Sequence, residues 1–229
     1  MPLKKDPSGR RSVEVSVEVP GTPEQVWAAI ATGPGVSSWF VPTEADGRVG
    51  GRIVANFGPG MESVSTCTKW DPPRMFAADS ADLGPGSPNV ATEWHVEAKD
   101  GGTCIVRVVH SLFTDKDDWD DQLAGWEHGW PGFFRILRLY LLRFPGMTGA
   151  GLQAGGLVPG PRPEAWSKLV GPINLADASE GDSRRSPPDA PTIGGRVEQA
   201  GEAGHPEGML LSLDAPCPGI AHLFAMDMA

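Results

Sequence analysis

The sequence predicts an α+β protein in which an antiparallel β-sheet, dry on one face, is met by one long aromatic-rich helix. Three stretches predict it. Val13, Val15, Val17 and Val19 alternate with Glu14, Ser16 and Glu18, and a period of two gives a strand one apolar and one wet face. Residues 92–113 read as a hairpin about Asp100-Gly101-Gly102, because those residues supply the positive φ a tight turn needs. Residues 125–144 set Trp126, Trp130, Phe133, Phe134, Leu137 and Leu141 at helical spacing.

The elements follow in order. Residues 1–12 are expected to form a disordered arm, with Lys4, Lys5, Arg10 and Arg11 solvated. A strand covers residues 11–19, and Pro20-Gly21 ends it. Thr22 reads as a helix N-cap, Pro23 as the first helical residue and Gln25 as the far member of a capping box. The helix runs to residue 31 with Val26, Trp27 and Ile30 on its apolar face. Gly33-Pro34-Gly35 breaks it, and residues 36–40 form one further turn. Strands follow at 52–57, 62–70 and 74–79, with Asp71-Pro72-Pro73 as a turn and a Gly/Pro-rich loop at 83–89. In the hairpin, Trp94, Val96 and Ala98 share a face opposite Glu93, His95 and Glu97. On its second arm Cys104, Val106, Val108 and His110 lie opposite Arg107.

Arg135, Arg138 and Arg143 lie off the aromatic stripe of the long helix. Pro131 lacks an N–H, so it is expected to start or kink a helical segment there. The main helix is placed from about residue 131 to 144, with a shorter helical piece before it. Pro145-Gly146 stops it, and residues 146–162 form a Gly/Pro-rich linker. The domain thus spans 13–145, and a small mostly β extension spans 163–229. The extension begins with a short helix at 163–170 carrying Trp166. A polar stretch at 175–191 and β-like runs at 192–199, 209–214 and 220–226 follow.

Bulk properties exclude several functions. The net charge of -10 argues against nucleic acid and against anionic membrane surfaces. No signal peptide is visible, and no apolar run approaches the ~20 residues of a membrane span. The three cysteines, Cys67, Cys104 and Cys217, are widely spaced. They read as reduced thiols of a cytoplasmic protein. No His or Cys spacing suits a metal. The acidic run 115–121 has Trp119 where a calcium loop needs its fifth ligand. Gly149, Gly151 and Gly155 miss the dinucleotide fingerprint by one residue, and a helix rather than a strand precedes them. No phosphate loop or activated nucleophile is found, so no cofactor, metal or catalytic residue is expected.

Val19-Pro20-Gly21-Thr22-Pro23-Glu24-Gln25-Val26-Trp27, Trp39-Phe40, Trp70-Asp71-Pro72-Pro73 and Gly129-Trp130 occur in an informative succession. On these, the first ~145 residues resemble the SRPBCC superfamily of START-like, helix-grip proteins. More narrowly, they resemble bacterial homologues of the C-terminal domain of the heat-shock protein 90 ATPase activator. The resemblance implies a curved antiparallel sheet wrapped around the long C-terminal helix. It also implies an apolar cavity between the two. The candidate lining is Trp39, Phe40, Trp70, Phe76, Trp94, His110, Trp126, Trp130, Phe133, Phe134, Leu137 and Leu141.

Three functions follow. The preferred one is a non-enzymatic module that binds a small hydrophobic or aromatic ligand. The second is a co-chaperone that stimulates a heat-shock protein 90 type ATPase. The third is a polyketide cyclase or aromatase, with His110 as a general base and Tyr140 as a phenol donor. His110 also reads as a hydrogen-bonded strand-end histidine, and Tyr140 as a helix-surface residue. Ligand identity, oligomeric state and the role of 163–229 stay open at this point.

Overall fold

The computed structural model describes residues 4–5, 9–58, 60–80, 88–114, 119–202 and 205–226. Parts of three expectations lie outside these residues: the arm at 1–3 and 6–8, the loop at 83–87, and the acidic run at 115–118. The chain forms two compact units, Met1–Leu152 and Gln153–Ala229.

The first unit is α+β. It contains β1 (Lys4–Lys5), β2 (Arg10–Pro20), α1 (Pro23–Ala31), α2 (Gly33–Ser37), β3 (Thr43–Ala45) and β4 (Arg52–Asn56). Then come β5 (Glu62–Asp71), β6 (Met75–Ser80), β7 (Val90–Lys99), β8 (Thr103–Phe113) and α3 (Asp120–Arg143). The strands make one large curved antiparallel sheet in the order β1-β2-β8-β7-β6-β5-β4-β3. β2 bonds along its whole length to β8, from Arg10 opposite Phe113 to Pro20 opposite Thr103.

Thr22 caps α1 as its sequence predicts. The Gln25 N–H donates to Thr22 Oγ1 at 3.4 Å, and the Thr22 N–H donates to Gln25 Oε1 at 2.9 Å. The next segment differs from expectation. α1 does end at Ala31, before Gly33-Pro34-Gly35, but the further turn starts at Gly33 rather than at residue 36, because Thr32 caps α2 by accepting from the Gly35 N–H at 3.1 Å. A Cβ on Gly35 would stand 1.9 Å from the Ala28 carbonyl oxygen, so only glycine lets the two helices approach this closely.

The described residues of the expected arm are not disordered. Lys4–Lys5 pairs with β2, and Arg10 and Arg11 lie inside β2. Arg11 is buried, not solvated. It forms an ion pair with Asp120 in the first turn of α3 and donates to the Thr114 carbonyl at 3.2 Å. Arg10 bonds Glu93 at 2.8 Å on the opposite face. Pro131 likewise neither starts nor separates helices: α3 is one 24-residue helix with Pro131 inside it. It packs along β2, and Phe134, Leu137, Leu139, Tyr140 and Leu141 are buried. This burial outweighs the hydrogen bond that proline cannot donate.

The second unit contains α4 (Arg162–Val170), β9 (Ser183–Arg185), β10 (Gly194–Glu202), β11 (His205–Ala215) and β12 (Gly219–Phe224). Its four strands are antiparallel, ordered β12-β11-β10-β9. Val170, Ile173, Leu175, Val197, Met209 and Leu211 form its own core, with Trp166 packed against it. Arg162 pairs with Glu207 at 2.8 Å. The stretch 175–191, expected to loop out, contributes Leu175 and β9 to this unit.

Candidate ligand site

Of the rows of side chains that cross the dry face of the large sheet, two adjacent ones carry the aromatic rings and His110. Directly opposed residues of antiparallel strands share a face. The register therefore aligns Val15, Val108, Trp94, Phe76 and Trp70 in one row. The next row is Val13, His110, Thr92, Ala78 and Cys67. The opposite face is charged. Glu14 bonds Lys4 at 3.1 Å, Glu18 bonds Lys99 at 2.6 Å, and His95 sits 3.3 Å from Glu93. Both faces match the alternation in the sequence.

The aromatic rings continue from sheet to helix. Phe76 stacks on Trp94 at 6.2 Å, and Trp94 meets Trp130 of α3 edge-on at 5.1 Å. Trp130 is the hub of the array. Its ring centroid lies 5.8 Å from Phe40, 5.9 Å from Phe133, 5.3 Å from Phe134 and 5.6 Å from His110. Phe40 lies 4.8 Å from Phe133 and 5.5 Å from Trp39, whose indole N–H donates to the Ala29 carbonyl at 2.9 Å. Trp70 lies 5.7 Å from Phe76, and Trp126 lies 4.8 Å from His110.

Ten of the twelve residues expected from the sequence thus join one ring array, counting the His110 imidazole. Leu137 and Leu141 are buried on α3 and carry no ring. Two further residues were not anticipated. Trp27 of α1 meets Trp70 at 5.0 Å and Phe76 at 5.8 Å. Phe57, just past β4, meets Phe40 at 5.6 Å. Trp27 was visible on the apolar face of its helix, and Phe57 at the end of the strand read at 52–57, but neither was assigned to the lining. The array divides by exposure. Trp39, Phe76, Phe134, Leu137 and Leu141 are buried, while Phe40, Trp70, Trp94, His110, Trp126, Trp130 and Phe133 are half-buried.

His110 has both ring nitrogens occupied. The Trp130 indole N–H donates to His110 Nε2 at 2.6 Å, and His110 Nδ1 lies 2.9 Å from Thr92 Oγ1. An indole can only donate, so Nε2 must be the acceptor and Nδ1 must carry the proton. Desolvation pushes the imidazole down to about 4, so it is neutral at pH 7. Tyr140 is neither on the surface nor in the array. It is buried, and its hydroxyl donates to the Met147 carbonyl at 2.9 Å. Burial pushes the Cys67 and Cys104 thiols up, so neither is a ready nucleophile. Among the described residues no three His, Cys, Asp or Glu side chains gather as a metal would require, and no helix is long and apolar enough to cross a membrane.

A curved antiparallel sheet with an aromatic dry face turned to a long helix defines the START-like architecture of the SRPBCC superfamily. The chain belongs to the polyketide cyclase / dehydrase and lipid transport family, which matches residues 10–135. Similar solved structures include CalU16 from Micromonospora echinospora, 20% identical, with a TM-score of 0.51 over 74% of this chain and 92% of that one. DynU16, from the dynemicin biosynthetic locus, is 18% identical, with a TM-score of 0.51 over 90% of this chain and 76% of that one. The Aha1 dimer from Colwellia psychrerythraea is 21% identical, with a TM-score of 0.48 over 59% of this chain and 98% of that one. A comparison with curated proteins finds no match.

Proposed function

We propose that the first unit binds a small, uncharged aromatic or otherwise apolar molecule between the dry sheet face and α3. The sheet grips the helix, and the half-buried rings form the contact surface. One observation carries this reading: Phe40, Trp94, Trp126, Trp130 and Phe133 are in or adjoin a single ring array yet each keeps accessible surface. Apolar rings left partly in water gain free energy when a ligand covers them, by about 25 cal/mol for each Å². Phe134 and Leu137 stand behind them as packing. The residues of the two ring-bearing rows are neutral, and the charged Arg11 on the same face is ion-paired with Asp120.

The same geometry favours binding over catalysis. His110 and Tyr140 are the polar groups a cyclase reading would use, and both direct their hydrogen bonds into the protein. Titration with N-phenyl-1-naphthylamine, read by its fluorescence, tests the proposal. The wild type should bind with a Kd of micromolar order, and Trp130→Leu should weaken binding about tenfold, near 1.4 kcal/mol. Equal affinity in a folded Trp130→Leu protein would overturn the assignment.

A further inference from the structure

Trp130 sits at the centre of the array, yet its own stretch of helix does little to hold it. Its chain neighbours are Gly129 and Pro131, and Gly132 follows. Each glycine loses about 1 kcal/mol of helix preference relative to alanine, and proline about 3 kcal/mol. These glycines are not required by crowding. A Cβ at Gly125 or Gly132 would meet nothing within 4 Å, and one at Gly129 would only touch Phe133 at 4.0 Å. The indole therefore needs an anchor outside α3.

The sheet supplies one. Thr92 and His110 face each other directly across β7 and β8, so the ladder itself fixes their spacing. Thr92 Oγ1 holds His110 Nδ1 at 2.9 Å, and His110 Nε2 holds the Trp130 indole N–H at 2.6 Å. A two-bond relay thus runs from the sheet to the helix. The imidazole is also stacked on Trp130, with an interplanar angle of 23°, and lies 4.8 Å from Trp126. Neither nitrogen is left to meet a ligand.

We infer that His110 is a positioning residue that acts through Trp130, with Thr92 as its support, and that it fixes the indole plane on which the ligand packs. The inference rests on the ligand site proposed above. A preset indole plane spares the cost of ordering it on binding. The relay also excludes a proton-transfer role for His110, because its basic lone pair already accepts the indole N–H.

A double-mutant cycle tests this. His110→Leu is made in the wild type and in Trp130→Phe, which keeps a ring but has no N–H to anchor. Folding is checked by circular dichroism, and the affinity for N-phenyl-1-naphthylamine is measured. His110→Leu should weaken binding about tenfold in the wild type and less than about twofold in Trp130→Phe. Equal losses in both backgrounds would mean that His110 meets the probe directly, and no loss in either would mean that the relay does not matter; each overturns the inference. Thr92→Ser should bind like the wild type and Thr92→Val should weaken binding, which keeps the test open if His110→Leu fails to fold.

A second readout needs no ligand. The Trp130 indole N–H should exchange with solvent at least about tenfold faster in Thr92→Val or His110→Leu than in the wild type. If the wild type bound no probe, the ligand site would be refuted while indole exchange still decided the relay; unchanged exchange would overturn the relay itself.

Discussion

Acidification from about pH 7 to about pH 4.5 should destabilise the first unit by about 2.5 kcal/mol through His110 alone. In the unfolded chain this imidazole has its ordinary value of 6.5, and in the folded protein burial lowers it to about 4. Between those values the unfolded state binds a proton that the folded state refuses. Stability therefore rises with pH across this window. The contribution is complete above the unfolded value, declines as the pH falls, and levels off below the folded one. The shift is 2.5 units between 6.5 and about 4, or about 3.4 kcal/mol at the acid limit. Desolvation is its cause, and no charged neighbour contributes. Urea denaturation of the wild type and of His110→Gln, read by tryptophan fluorescence at about pH 7, 5.5 and 4.5, isolates the effect. Carboxylates such as Glu14, held below the usual range by the hydrogen bond from Lys4, also lose stabilisation in acid. They cancel in the difference between the two proteins. The wild type should lose about 2.5 kcal/mol more than His110→Gln over this range. Parallel losses would refute the idea that burial keeps the imidazole neutral. A wild type that gained relative to the variant would mean a charged, partnered histidine.

Three further outcomes are expected. Phe134→Ala removes a ring that is 1% exposed and should cost about 3–5 kcal/mol in urea melts, because the packed wall cannot close the space. Asp120→Ala removes one ion-pair partner of the Arg11 guanidinium, whose side chain is 6% exposed, and should cost about 2 kcal/mol, less in Asp120→Asn. Thr22→Ala removes the α1 cap and should cost about 1 kcal/mol, with Thr22→Ser near neutral, by thermal melts.

Period-two patterning made much of the first unit legible. The parity of Val13, Val15, Val17 and Val19, and of Trp94 and His110, told which side chains share the dry face. The same parity includes Arg11, two residues before Val13 and at the start of the strand read at 11–19, but its charge assigned it to the solvated arm. Charge misled there, because the partner Asp120 lies 109 residues away. β1, β3 and β9 span only two or three residues each, too short for any alternation to register. Proline and glycine argued for a divided helix at 120–143, but burial of Leu123, Phe134 and Leu137 decided the matter, a tertiary effect that local propensity does not contain. For the ring array, the helix members could be read from spacing. That His110 accepts from Trp130 could not, since it depends on where a helix and a strand meet. Tyr140 shows the same limit: its partner Met147 lies beyond the helix end.

The helix that faces the sheet is uneven along its length. From Gly125 to Gly132 it carries three glycines and a proline, whereas the turns after Gly132 carry buried leucines and Tyr140. The first of these stretches is weaker than an alanine helix by about 6 kcal/mol in propensity alone. Amide protons there should be the earliest of α3 to exchange for deuterium, through brief openings that leave the later turns closed. The wall that holds Trp126 and Trp130 is thus the part of the helix most easily parted from the sheet. Any molecule covering those rings would close it, and hydrogen exchange would report its arrival as slower exchange at Gly125–Gly132, even without a change in the average structure.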